Sequence, residues 1–510
     1  MSFAVRRISE QRQRSHWKRR LARALAFARP LVQLFARAKR KHDEGKRRAW
    51  HRLLVERTAI AAIALLCTLL LLGGIAKALL ALHMFSASKI LTAAGAELPV
   101  DTNGMANILL LGQGGSEHDG VDLTDSIIVA SIDAAETKSV LLLSLPRDLY
   151  FLSKNDGGKG RVNSIYRDEK YALQRKGWDA SPASQEAMRI LAKEIGGHLS
   201  LPLSHVVKVD FEGFAEGIDA VGGVDIDVPI DIVDTEYPGP NYTYETFSIN
   251  KGPQTLDGAT ALKYVRSRHS TSDFDRSARQ QQVITALVEK VKHEGLLRQS
   301  QNISNLLQII GEHMETTMSL RELIGLAGLG SGIDRSRILS MQLNDRNGLY
   351  GTLPEPGGLL YAPPRDLFGG ASVLLPVSVP EFPVTWKQIQ ALTLLLSKHR
   401  SFFLAKPKIA ILNAGAASGI ARKLGNELTR FGLRVEHVEN AGIASLEHSQ
   451  ISSREGFSDH AALLAKLLSL STLPLPTDVE PTRTRDLTVI LGKDYRFLPV
   501  QDLLPSLAAP

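Results

Sequence analysis

Cysteine is nearly absent: the 510-residue chain has one, Cys67. A lone thiol excludes an internal disulfide framework, and the scattered histidines give no zinc-ligand spacing. There is no P-loop signature, so nucleotide is not the expected phosphate source. The glycine cluster "GQGG" follows a strand-like run but lacks the full Gly-x-Gly-x-x-Gly fingerprint of a dinucleotide fold. Aromatic residues make up only 6%, yet the apolar (44%) and charged (22%) fractions are ordinary. Size and composition therefore call for two or three globular domains rather than a disordered chain.

The net charge of +8 is unevenly spread. Residues 1–57 hold 18 Lys/Arg against 4 Asp/Glu, about +14, which leaves the remainder at about −6. Behind this tail comes "AIAAIALLCTLLLLGGIAKALLALHMF", Ala59 to Phe85, with 18 uncharged residues before Lys77. As a helix those residues span about 27 Å, close to one hydrocarbon core, and Lys77 can snorkel. The segment starts too far from the N-terminus and runs too long for a cleaved signal peptide. The expectation is a single transmembrane helix at 58–85 with a cytoplasmic basic tail at 1–57. Everything beyond residue 86 then lies outside the cell membrane. An arginine-rich segment just inside a bilayer sets topology and touches anionic lipid, so membrane lipid is an expected partner and nucleic acid is not.

After a linker at 86–104, buried-strand runs appear in "NILLLG", "SIIVASI" and "SVLLLSL". Helical patterns ("SQEAMRILAKEIG", "ARQQQVITALVEKVKHEGLL") and the strand "GGVDIDVPI" complete an α/β (α+β) domain over 105–345, with a mixed central sheet flanked by helices. Residues 346–405 read as a Gly/Pro-rich connector with one helix. At 406–497, "PKIAILN", "IARKLGNELTRFG" and "LRVEHVE" indicate a small β-α-β-type domain, followed by a tail at 498–510. In that domain Asn413, Lys493 and Asp494 read as turn and capping residues.

Two charge patterns stand out in the larger domain. If Ser126–Ile132 and Ser139–Leu145 pair antiparallel about a turn near Glu136, opposed residue numbers sum to about 272, which sets Asp125 against Arg147 at one sheet edge. Further on, "ALKYVRSRHSTSDFDRSARQQ" carries four arginines. Asp257 is placed to cap the helix that leads into it. An extended "RSRH" would put Arg266 and Arg268 on one face, and a following helix would align Arg276, Arg279 and Gln280. Like charges this close repel, and a bound phosphate between them would relieve the repulsion. Pairing with Asp273, Asp275 and other acids is the alternative.

In order, "NILLLG", "LTDSIIVASID", "SVLLLSLPRDLY", "RVNSIY", "VDFEGFAEGIDAVGGVDIDV", "LDGATALKYVRSRH" and "DFDRSARQQ" resemble the LytR-CpsA-Psr family of bacterial cell-wall phosphotransferases. The resemblance covers about 105–290, and 406–497 resembles the LytR-type C-terminal domain that many members carry. It implies transfer of a glycopolymer from a polyprenyl-pyrophosphate carrier to a peptidoglycan sugar hydroxyl, through a phosphodiester and with Mg²⁺. Asp125, Arg147, Arg266, Arg268 and Arg276 are then the implied catalytic set, with Arg161, Arg279 and Gln280 on the pyrophosphate. Asp125 is the implied metal ligand.

Two positions depart from the family pattern: Gln113, where an acid is usual, and Leu123, where arginine is usual. Asp119 or Asp122 would have to supply the missing carboxylate from the longer loop. The general base stays open among Asp273, Asp275 and His269. The competing functions are a lipid-linked pyrophosphate hydrolase and a non-catalytic tether for envelope polymer.

Overall fold

The computed structural model describes residues 98–114, 122–152, 160–239, 243–267, 273–293, 311–319, 333–345, 358–377, 385–477 and 485–503, together with Arg321, Glu322, Leu326 and Val479. The basic tail and the expected span at 58–85 lie outside these residues. Among the described residues no helix is long and apolar enough to cross a membrane.

The larger unit is built on a meander of β1 (Ala106–Gln113), β2 (Thr124–Asp133) and β3 (Ser139–Leu145). The short strands β4 (Tyr150–Phe151) and β5 (Gly160–Arg161) lead into helices α1 (Val162–Arg175) and α2 (Ala180–Leu199). Next come β6 (His205–Val209), α3 (Phe211–Ala220), β7 (Val224–Val228), the hairpin β8 (Ile232–Pro238) and β9 (Tyr244–Ile249), and β10 (Gly252–Leu256). Helices α4 (Gly258–Arg266) and α5 (Asp273–His293) and strands β11 (Met314–Thr316) and β12 (Ile338–Gln342) complete it.

The main sheet has the order β11-β6-β1-β2-β3-β12. It is mixed: β1 runs parallel to β6 and β12 to β3, while β2 is antiparallel to both neighbours. The central strands are continuous apolar runs because both faces are covered. Alternation sends Ile108, Leu110, Ile128 and Leu142 under α3, α4 and α5, and Leu109, Leu111, Val129 and Leu143 under α1 and α2. Ile127 faces Leu145 and Val129 faces Leu143, which is the register of sum 272. Asp133 closes the tight turn by accepting from the Glu136 and Thr137 amides.

The connector holds more than one helix. It contains the strands β13 (Leu360–Tyr361) and β14 (Leu375–Pro376) and the helices α6 (Lys387–Lys398) and α7 (Arg400–Ala405). The fully buried Arg400 ties α7 to β2, donating from Nη1 to the Ser131 carbonyl and from Nη2 to Ser131 Oγ, each at 2.8 Å. The C-terminal unit contains β15 (Ile409–Asn413), α8 (Ile420–Arg430), β16 (Val435–Asn440), β17 (Gln450–Ser453), α9 (Ser458–Leu468), β18 (Ser471–Thr472) and β19 (Leu487–Leu491). Its sheet order is β16-β15-β19-β17-β18, with a parallel β16-β15-β19 core. One apolar cluster runs from the α1/α2 face of the main sheet through α6 and α7 into this unit, so the two units share a core.

Candidate functional site

The observed register carries the chain past Ile127 and Leu145 to a common edge, where Arg147 Nη1 lies 3.7 Å from Asp125 Oδ1. Asp148 follows Arg147 directly and lies between two cations, 3.7 Å from Arg147 Nε and 3.4 Å from Arg161 Nη1. The N-terminus of α1 docks on this loop through Val162 N to Leu149 O. That contact brings in Asn163, whose Nδ2 donates to Asp125 Oδ1 at 2.9 Å.

Helix α5 approaches from the other face. Gln281 Nε2 donates to Ser144 Oγ at 2.9 Å and to the Leu142 and Met341 carbonyls, which stitches the helix across β3 and β12. One residue earlier, Gln280 Nε2 reaches Ser126 Oγ at 3.2 Å. Arg276, one turn back, stands on the same face. The result is a cavity of about 180 Å³ whose lining includes Asp125, Arg147, Asp148, Arg276, Gln280 and Asp345. Burial raises the Asp125 carboxyl above its usual range; Arg147, the Asn163 hydrogen bond and Arg276 oppose that shift without overcoming it.

Of the other expected site residues, Arg266, Arg279, Asp122 and Arg161 do not line this cavity. Arg266 was expected in an extended segment but is the last residue of α4, stacked over Phe211 (4.8 Å) and Tyr237 (5.3 Å). Burial pushes the Tyr237 phenol up to about 12, although Arg266 beside it pulls the other way. Arg279 was expected on the anion. Instead its Nε donates to the Tyr264 carbonyl at 2.9 Å and its Nη2 to the Ser267 carbonyl, so it caps α4. Asp122, expected beside a metal, is buried in a left-handed turn with both oxygens 2.9 Å from Lys170 Nζ. Arg161 is partly exposed and paired to Asp148. Arg268, His269 and Asp119 lie outside the described residues, as does the Asp273 side chain.

Asn163, Asp148 and Asp345 were not singled out from the sequence. Asn163 lies within "RVNSIY" and Asp148 within "PRD", so their motifs were visible although their contacts were not. Among the described residues no cluster of three or more His, Cys, Asp or Glu stands ready to hold a metal.

Comparison with known proteins adds a second line. The LytR_cpsA_psr family model matches residues 83–353, just over half of the chain. A model described as LytR cell envelope-related transcriptional attenuator matches 406–495. The polyisoprenyl-teichoic acid–peptidoglycan teichoic acid transferase TagV of Bacillus subtilis is 28% identical over 224 residues, 43% of this chain and 51% of that protein. The cell wall biosynthesis protein LcpA of Corynebacterium glutamicum is 26% identical over 387 residues, 72% of this chain and 68% of that protein. This chain thus spans about half the length of TagV and two thirds that of LcpA. The crystal structure of B. subtilis TagV is 22% identical and covers 59% of this chain and 99% of that one, with a TM-score of 0.41.

Proposed function

The chain belongs to the LytR-CpsA-Psr family, and on that premise we propose that it transfers a glycopolymer from a polyprenyl-pyrophosphate carrier to a peptidoglycan sugar hydroxyl. In this reading a helix at 58–85 anchors it in the membrane and the sheet-bearing units work on the outer side, where carrier and acceptor meet. The observation that carries the reading is the meeting of Asp125, Arg147, Arg276 and Gln280, from three separate segments, around one cavity.

The geometry suits phosphoryl transfer, which needs positioning and charge neutralisation more than covalent help. Arg147 and Arg276 present guanidiniums that match phosphate oxygens in pairs. Gln280, oriented by Ser126, adds an amide beside them. Asn163 and Arg147 fix the Asp125 carboxylate against rotation. Arg279 acts one step back, holding the end of α4 that carries Arg266. The acceptor oxygen attacks phosphorus, the bond to the bridging oxygen breaks, and polyprenyl phosphate leaves.

Mg²⁺ fits this donor set in kind. Asp125 offers a carboxylate, Asn163 Oδ1 is buried with no hydrogen-bond partner, and the ion commonly takes one or two protein oxygens and fills its shell with phosphate and water. Held by Asp125 and Asn163, it would neutralise charge on the phosphates.

The test is to incubate the full chain in lipid nanodiscs with Mg²⁺, a polyprenyl-pyrophosphate glycan and peptidoglycan. A phosphodiester-linked product is expected. Release of free phosphosugar would make the protein a hydrolase, and binding without turnover would make it a tether.

A further inference from the structure

The proposed reaction needs a group to take the proton from the acceptor hydroxyl, and three carboxylates line the cavity: Asp125, Asp148 and Asp345. Two are engaged. Asp125 accepts from Asn163 and faces Arg147. Asp148 is shared by Arg147 and Arg161. A carboxylate whose oxygens already face cations and amide donors has fewer lone pairs free to take up an incoming proton.

Asp345 differs from both. It is half-buried, and no hydrogen bond or ion pair joins its carboxylate to any described residue. Its backbone is nonetheless fixed. The Leu343 amide donates to the Ser144 carbonyl at 3.0 Å, and the Leu360 amide donates to the Asn344 carbonyl at 3.0 Å. Gly358 packs so closely that a Cβ there would stand 2.0 Å from the Asn344 carbonyl oxygen and 2.8 Å from Asp345 Cα. A side chain at 358 would therefore force this loop to move. The other nearby acid with a described side chain, Asp275, is not part of the cavity lining and lies beside the Arg279 charge.

We infer that Asp345 is the general base of the transfer, an assignment that rests on the transferase reading above. As the acceptor oxygen bonds to phosphorus and the phosphorus bond to the bridging oxygen breaks, the hydroxyl proton passes to the Asp345 carboxylate. The electron pair leaves with polyprenyl phosphate, and the proton is later returned to water. Gln342 and Leu343 extend β12 to the same wall of the cavity, so the base reaches the site from a different strand than Asp125 and Arg147.

The test compares the full chain with Asp345→Asn and Asp345→Glu in nanodiscs, reading transfer rate against pH and donor affinity separately. The Asn variant, with one negative charge fewer in the cavity lining, is expected to bind the polyprenyl-pyrophosphate donor at least as tightly as the unsubstituted chain. Its transfer should fall about 10²–10⁴-fold and lose the rise in rate on the acidic side of the profile. The Glu variant keeps a base and moves it by one methylene, and should recover part of the rate. An Asn variant with full rate, or a loss of rate matched by an equal loss of donor affinity, would overturn the assignment while leaving the transferase reading intact. If the unsubstituted chain makes no phosphodiester product, both fall together.

Discussion

Arg279 gives the sharpest test of how the fold supports the site. Replacing it with Met keeps most of the side-chain length and removes every donor. The Tyr264 and Ser267 carbonyls sit at the C-terminal end of α4, where helical carbonyls lack partners within the helix. Each bond from a charged donor is worth about 1.5–3 kcal/mol, so losing two removes about 3–6 kcal/mol. Stacking on Tyr264, at 5.7 Å, adds about 0.5–1 kcal/mol. Met recovers about 1.5–3 kcal/mol through apolar burial, and the Arg279 cation bears a desolvation cost that lowers its hold on its proton. The net expectation is a loss of about 2–4 kcal/mol, or roughly 5–15 °C in the melting temperature of a domain this size.

The consequence should reach the site. Ser267 is pinned to Asp234 at 2.9 Å, and Arg266 precedes it against Phe211 and Tyr237. Arg279 shares α5 with Arg276 and Gln280, so loosening its hold on α4 should disturb both in the cavity, and transfer should fall along with stability. Arg279→Lys, able to reach one carbonyl, should lie between. The assay is thermal unfolding of the full chain in detergent, beside donor binding and turnover. A Met variant that melts like the unsubstituted chain yet loses donor affinity would refute the reasoning and return Arg279 to the anion.

Asp125→Asn should abolish transfer and stabilise the protein at neutral pH. The folded carboxyl titrates above its unfolded value, so the proton-linked stability is complete below the unfolded value and is lost as pH rises through the folded one. Melting curves of the two chains should therefore coincide in acid and separate as pH rises; separation in the opposite sense would show that Arg147 and Arg276 outweigh burial. Arg400→Met should cost about 2–4 kcal/mol, because it removes both charge-assisted hydrogen bonds from α7 to Ser131. The lowered denaturant midpoint should come with faster proteolysis of the C-terminal unit, and an unchanged midpoint would show that the shared apolar core alone joins them.

The central strands were legible because each is apolar on both faces and bounded by polar turns, and the short Asp133–Lys138 turn left one register for the hairpin. That register sufficed to bring Asp125 and Arg147 together from sequence numbers alone. Helix α1 was not legible: only a few of its residues are buried, and they are interrupted by charged positions. Asn163 was hidden with it. The i, i+3, i+4 spacing on α5 placed Arg276, Arg279 and Gln280 on one face, but spacing does not say what that face meets. Arg279 meets the carbonyl end of α4, and this cap lets the helix run to Arg266 where an extended segment was expected. Asp122 looked like a loop carboxylate free for metal because Lys170, 48 residues away, gives no local sign of the pair.

The charges around the cavity set a condition on any function assigned to it. Asp125, Asp148 and Asp345 stand against Arg147 and Arg276 in the lining, with Arg161 already shared by Asp148. With every group ionised this wall is not a strong trap for a pyrophosphate. Burial tilts the balance, because it disfavours the Asp125 anion. A cation or a proton on that carboxylate leaves the two guanidiniums as the dominant charges facing the cavity. The same buried acid that weakens the empty site thus makes anion binding conditional on what Asp125 holds, which is why the proposed function joins a divalent cation to the donor rather than treating the arginines as sufficient.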